Sequence, residues 1–418
     1  MATPAESVVL DARLADAGNR KIDWAAQHSP VLNALRGSLL EPGSLAGRRV
    51  GVIVPLEAKT AYLALVLRDA GAEVAVTGTS PAYVQDDVAA GLASRGVTVY
   101  AVAGVPAEEF ERYYERVLEF RCDALIDDRA ELVKLAHTKR ADLVESICGA
   151  SEETTSGVTR LRAMEREGVL RFPVVAANNA RCKHLFDNRY GTGQSTIASI
   201  LRNTNLFMAG KEVVVVGYGW CGKGIARRAK GVGARVTVVE VDAVKALEAY
   251  ADGFEARSLD ECAGRGDVFI TSTGVPDAIR REHFEGMKDG VILANAGGLD
   301  VEIREATLRE LAVEEREVRP HITEFTMADR RRLHLLAHGN LVNIAPADGH
   351  PVEIMDLTFA VQALACRHVL LHHEELAPGV HEFPAELDEE IARLKLASLG
   401  MGVGALTREQ AAFLETWE

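Results

Sequence analysis

Cysteine is scarce and scattered. Six residues (Cys122, Cys148, Cys182, Cys221, Cys262 and Cys366) are spread over 418, with no C-x-x-C pair and no Cys/His ligand spacing. That excludes a disulfide scaffold, speaks against a zinc site, and leaves free thiols suited to a reducing cytoplasm; no metal is expected. Aromatic residues are only 6%, and no low-complexity tract or short repeat interrupts the chain, so fibrous and disordered classes drop out. No apolar run approaches the roughly 20 residues of a membrane helix. The opening MATPAESVVLDARLADAG is too acidic and too polar for a secretory leader. A basic excess is missing as well. Against 61 Asp and Glu stand 47 Lys and Arg, a net −14, so nucleic acid and anionic membranes are not expected partners, because phosphate binding needs a basic patch. What remains is the make-up of a globular enzyme, long enough for two cores and expected in the cytoplasm.

Short apolar strands alternate with amphipathic helices through the first half. Arg49–Val54, Glu73–Thr77, Val97–Val102 and Ala124–Asp127 read as strands, with helices over Lys59–Ala70, Gln85–Ser94 and Glu108–Phe120. A second series follows at Glu212–Val216, Arg235–Val239, Val268–Thr271 and Val291–Ala294. Strands separated by helices imply parallel βαβ units. The expected fold class is therefore α/β: two Rossmann-like, doubly wound parallel-sheet domains plus a helical C-terminal tail. The domains are placed at 1–185 (completed by 347–382), 190–345 and 383–418, the last a helical tail whose spacing suits packing on a partner.

The strongest local signal is VVVVGYGWCGKG. Gly217, Gly219 and Gly222 give G-x-G-x-x-G directly after a strand and at the mouth of a helix. Glycines at this spacing permit the tight turn, a close approach to a pyrophosphate and close helix–strand packing, and the helix N-terminus offers free N–H groups to the phosphates. Glu240 ends the next strand, where an acid accepts hydrogen bonds from the adenosine ribose and repels a 2′-phosphate; the cofactor read from these residues is NAD.

SEETTSGV (151–158), FDNRYGTGQS (186–195), GYGWCGKG (217–224) and LVN…DGHPVEIMD (341–356) together resemble the S-adenosyl-L-homocysteine hydrolase family over essentially the full length. The resemblance implies an enzyme in which resident NAD oxidises C3′ of a nucleoside, a base removes the acidified C4′ proton, and the C5′ group is expelled. It implies catalytic roles for Asp128 (the base), Lys183 and Asp187, the lysine needing a lowered pKa to move the 3′-hydroxyl proton. Glu153, Glu57, Thr60, His350 and Met355 are the implied substrate contacts. Thr154, Thr155, Ser156, Asn188, Lys223 and Asn343 join Gly217, Gly219, Gly222 and Glu240 as cofactor contacts. A small nucleoside substrate and a homo-oligomer, tetramer or dimer, complete the expectation.

Departures from the family pattern cluster at the C5′ end. Pro55 and Gly298 stand where the family carries histidines. The family's Asp-Asp-Gly-Gly-Asp-Leu is Asp127-Asp128-Arg129-Ala130-Glu131-Leu132 here, Asn179 replaces an acid, and LAHGNL puts His338 and Asn340 in place of a Glu and an Arg. General acid–base groups contribute roughly 10²–10⁴-fold each, so the expectation is a redox-assisted lyase: dehydration of an adenosine-type nucleoside to a 4′,5′-unsaturated product, as in nucleoside-antibiotic biosynthesis. The alternatives are an adenosylhomocysteinase with displaced acid–base groups, other C3′ redox or epimerase chemistry, and a non-catalytic NAD-binding regulator. His321, His334, His338 and His350 are the candidate replacement acids.

Overall fold

Runs of β-branched residues make the strand centres. Val50, Val52 and Ile53, and likewise Val213, Val214 and Val215, are fully buried, as expected of parallel strands covered on both faces. The computed structural model describes residues 6–417, and the reading of the opening segment as leaderless rests partly on residues 1–5, which lie outside them. Among the described residues sixteen strands form two sheets. The first holds β1 (Val8–Val9), β2 (Arg49–Ile53), β3 (Glu73–Thr77), β4 (Thr98–Ala101), β5 (Ala124–Asp127), β6 (Gly149–Glu152) and β7 (Pro173–Ala176). The second holds β8 (Glu212–Val216), β9 (Arg235–Val239), β10 (Glu255–Arg257), β11 (Val268–Thr271), β12 (Val291–Asn295), β13 (Ala312–Arg319), β14 (Ile322–Met327) and β15 (Arg332–Leu336). β16 (Gly379–Glu382) returns to the first sheet beside β7.

The first sheet is parallel throughout, in the order β1-β4-β3-β2-β5-β6-β7-β16. The second runs β10-β9-β8-β11-β12-β15-β14-β13. It is parallel as far as β15, and then β14 and β13 add antiparallel strands. That antiparallel edge is an addition to the doubly wound parallel sheet expected from the sequence. Its outer strand β13 is almost wholly exposed and reads AVEEREVR, a charged edge that resists pairing with another chain. Two Rossmann-like α/β units are thus present, and each reverses its strand order once: between β2 and β5 in the first, between β8 and β11 in the second. Open α/β sheets bind ligands in the crevice beyond the carboxyl ends of such strands.

The helix Val352–His372 is long and apolar enough by composition to cross a membrane, an 18-residue window within Val352–Glu375 having a mean hydropathy of 1.4. However, 78% of that window is buried inside the protein, where the helix packs on β6 and the helix Pro30–Leu35. It is a core helix, hydrophobic all round because it has neighbours all round. The following helix, Ala385–Ser398, buries Ile391 and packs on the same surface, so this part of the tail is seated on its own chain.

Candidate active site

Asp128 follows β5 directly, at the first crossover point, and the loop carrying Pro55 follows β2 beside it. Asp128 is buried, and its Oδ1 has no hydrogen-bond partner in the protein. Burial pushes its carboxyl up, while Arg129, Thr154 and Lys183 work against that push without cancelling it. An orphaned buried carboxylate oxygen is costly, and a ligand atom is the natural partner.

Lys183 sits at the centre of the buried cluster. Its Nζ lies 3.5 Å from Glu153 Oε1 and 3.5 Å from Asp187 Oδ2. It also donates to Asn188 Oδ1 at 3.0 Å and to Asn178 Oδ1 at 3.4 Å. Asp187 begins a π-helical turn, Asp187–Gly191, a local form that recurs at functional sites. Its Oδ2 accepts from Thr358 Oγ1 at 2.8 Å and its Oδ1 pairs with His350 Nδ1 at 2.9 Å. Glu153 Oε2 accepts from Gln362 Nε2 at 2.5 Å.

One ammonium faces two carboxyls, and their environments separate them. Burial would raise Asp187, but Lys183 and His350 overrule it and hold the group well below the usual carboxylate range. At Glu153 burial wins, pushing the carboxyl up to about 8. Lys183 itself is raised: burial opposes its charge, but Asp187 and Glu153 outweigh burial. That corrects the sequence expectation of a lysine with a lowered pKa. In the free protein Lys183 is a held cation, Asp187 its ionised partner, and Glu153 the carboxyl that keeps its proton near neutrality.

The other expected site residues have local partners of their own. Glu57 caps the helix Ala58–Asp69 by accepting from Lys59 N at 2.9 Å and pairs with Lys59 Nζ at 2.8 Å. Thr60 Oγ1 donates to the Pro55 carbonyl at 2.7 Å, and Met355 is buried in the core helix. Thr154 caps the helix Thr155–Arg166, its Oγ1 accepting from Gly157 N at 3.3 Å and donating to Glu152 Oε1 at 2.9 Å. Thr155 Oγ1 accepts from Asn178 Nδ2 at 3.1 Å. Thr358 and Gln362 were missed in the sequence. Their signal was there: two polar residues one turn apart on an otherwise apolar helix face the same side.

The cofactor cradle lies at the second crossover point. Gly217 has φ +99°, and a Cβ there would stand 2.9 Å from the Ser272 carbonyl oxygen, whereas space is open around Gly219. Glu240 stands half-buried at its mouth and accepts from Tyr218 N and Val241 N, both at 2.7 Å, so it braces the glycine turn as well as ending β9. Lys223 is engaged with Glu248 at 2.6 Å. Asn343 donates to Ser195 Oγ at 3.1 Å and leaves its buried Oδ1 without a partner. These features fit a dinucleotide: an open approach over Gly219, N–H groups at the mouth of the helix Trp220–Gly231, and an unfilled acceptor. Gly298 closes the gap between the two units, since a Cβ on it would be 3.4 Å from Ser156 Oγ. Of the four candidate replacement histidines, only His350 joins the cluster. His334 pairs with Glu324, the exposed His338 with Glu305, and His321 is exposed beyond β13.

A dinucleotide cradle beside a buried lysine–carboxylate cluster, Lys183 and Asp187 acting on Cys221 of the cradle helix, marks an NAD-dependent enzyme. Comparison with known proteins gives the family. Residues 188–349 match the S-adenosyl-L-homocysteine hydrolase, NAD binding domain, and residues 6–143 match S-adenosyl-L-homocysteine hydrolase. Adenosylhomocysteinase of Pyrococcus abyssi is 53% identical over 410 residues, 98% of this chain and 97% of that one. S-inosyl-L-homocysteine hydrolase of Methanocaldococcus jannaschii is 51% identical over 409 residues, 98% of each. Adenosylhomocysteinase of Thermotoga maritima is 48% identical over 401 residues, 96% of this chain and 99% of that one. The chain belongs to the S-adenosyl-L-homocysteine hydrolase family and uses NAD.

Proposed function

We propose that the chain hydrolyses an S-nucleosidyl-homocysteine thioether, the alternative weighed in the sequence rather than the lyase first favoured. The observation that carries this reading is the intact cluster of Lys183, Glu153 and Asp187 beside the unpartnered Asp128 oxygen. The hydrolase names of relatives matching nearly the whole chain support it. Because those names include both adenosyl and inosyl substrates, the base is left as a purine. NAD, when bound, supplies reversible oxidation at C3′ of the sugar. Lys183, a cation, donates to the 3′-oxygen and Asp187 accepts from the 3′-hydroxyl, so the pair holds and orients it, while protonated Glu153 donates to a neighbouring ribose oxygen. Asp128, one strand away and short of one hydrogen bond, accepts the C4′ proton. Glu57, Thr60, His350 and Met355 border the nucleoside, and Thr154, Thr155, Ser156, Asn188, Lys223, Glu240 and Asn343 the cofactor. The six free cysteines suit the reducing cytoplasm. The helix Arg408–Glu415, with no buried residue and with Phe413 and Leu414 exposed, suits a homo-oligomer.

A second reading, dehydration of a 5′-hydroxyl nucleoside, is favoured by one observation. Neither Pro55 nor Gly298 brings a titratable group to the C5′ end, and His321, His334 and His338 are engaged or exposed elsewhere. Product analysis of the NAD-loaded protein separates the readings. With S-adenosylhomocysteine or its inosyl counterpart, release of free thiol is expected. Loss of one water from adenosine without thiol release would establish the lyase instead, and neither product with any nucleoside would leave a regulator.

A further inference from the structure

The strand-to-helix turn after Asp128 holds two left-handed residues that are not glycine: Arg129 at φ +64° and Ala130 at φ +57°. Such a conformation costs roughly 1–2 kcal/mol per non-glycine residue, and the family pattern avoids the cost with a Gly-Gly pair. Here the turn is pinned by a buried carboxylate. Glu152 accepts from Arg129 N and Ala130 N, both at 2.9 Å. The result is a guanidinium placed over the ring of Tyr83, 5.7 Å from its centroid. Tyr83 is itself buried and spans to the other unit, its hydroxyl accepting from Leu341 N at 3.1 Å and donating to Asn340 Oδ1 at 3.4 Å. Asp128, Tyr83 and Asp300 act on Arg129 electrostatically, and Tyr83 also shares a side-chain hydrogen bond with it. A half-buried arginine that spends one of its five donors on Tyr83, one residue from the C4′ base, has donors left to meet an anion. It stacks on the tyrosine that hydrogen-bonds Asn340, where the family pattern has an arginine.

We propose that Arg129 contacts the substrate at its C5′ end, donating N–H groups to a negatively charged oxygen there. That oxygen belongs either to the carboxylate of an amino-acid substituent or to the group leaving C5′. The proposal rests on the reading of Asp128 as the base at C4′. Strain tolerated at a site is grounds for assigning function to the residue it positions, and stacking on Tyr83 keeps the fork oriented.

The test compares NAD-loaded wild type with Arg129→Gly and Arg129→Lys on S-adenosylhomocysteine, 5′-methylthioadenosine and adenosine. Arg129→Gly returns the turn to the residue it suits, so folding is not at risk. Solvent deuterium entering C4′ is followed alongside KM and kcat. If the partner is a carboxylate, Arg129→Gly raises KM for S-adenosylhomocysteine by about tenfold or more, the value of a hydrogen bond to a charged group, and leaves methylthioadenosine unchanged. If it is the departing oxygen, kcat for loss of water from adenosine falls by a similar factor while C4′ exchange persists. Arg129→Lys, keeping charge without the fork, recovers part of either loss. Equal behaviour of Arg129→Gly and wild type on all three overturns the proposal. So does a uniform loss that includes C4′ exchange. Absent C4′ exchange in the wild type would instead refute the reading of Asp128.

Discussion

The ionisation pattern around Lys183 follows from counting charges in a dry place. One cation cannot satisfy two buried carboxylates, and Asp187 has the added support of His350 and Thr358, so Glu153 keeps the proton. This has a consequence for stability. Glu153 rises from an ordinary 4.5 to about 8 in the folded chain. Between those values the native state retains a proton that the unfolded chain has given up, so stability falls as pH rises through the window. Asp127, also raised to about 8 by burial, contributes with the same sign. Glu153→Gln is expected to flatten part of that decline, read as the pH dependence of the urea midpoint. An unchanged slope would mean that Glu153 is ionised throughout. None of this was legible residue by residue, because Lys183 looks like any lysine until folding brings Glu153 and Asp187 to it.

At the scale of elements, the glycines carry the clearest predictions. The helices Thr192–Thr204 and Trp220–Gly231 meet backbone to backbone: a Cβ on Gly224 would fall on the Arg189 carbonyl, and one on Gly193 would fall on the backbone of Gly224. Gly224→Ala is expected to destabilise by about 1–3 kcal/mol through overpacking, measured by denaturant unfolding. It should also reduce the NAD that copurifies, because the second helix carries the cradle. Ala130→Gly tests the strained turn in the opposite sense. It relieves roughly 1–2 kcal/mol of left-handed strain against about 0.5–1 kcal/mol of added unfolded-state entropy, so Tm should hold level or rise. A fall of several degrees would show that the turn carries no strain. The βαβ units and glycine turn were readable in the sequence because period and spacing announce them locally. The hairpin of β13 and β14 was not, since AVEEREVR is exposed on both faces and shows no alternation. Nor was the Arg129–Ala130 turn, whose geometry depends on Glu152 from the neighbouring strand.

For the whole molecule, the two sheets are less important than the seam between them. Tyr83 reaching Asn340 and Leu341, Gly298 beside Ser156, and Asp187 against His350 join the two units there. Alternation of strands and helices predicted two such units. Which loops meet across them is a matter of tertiary geometry, and the sequence pointed to those loops only through their likeness to a family. The same likeness marked Pro55 and Gly298, and the seam is where those departures act.

The account turns on Asp128 removing the C4′ proton after oxidation at C3′, a step common to hydrolysis and dehydration alike. The most direct measurement incubates the NAD-loaded protein with a purine nucleoside in heavy water and reads deuterium at C4′ of the recovered nucleoside. The account predicts deuterium at C4′, with incorporation reduced roughly 10²–10⁴-fold in Asp128→Asn while cofactor reduction on adding nucleoside persists. Cofactor reduction with no C4′ deuterium in the wild type, or full exchange in Asp128→Asn, would contradict it.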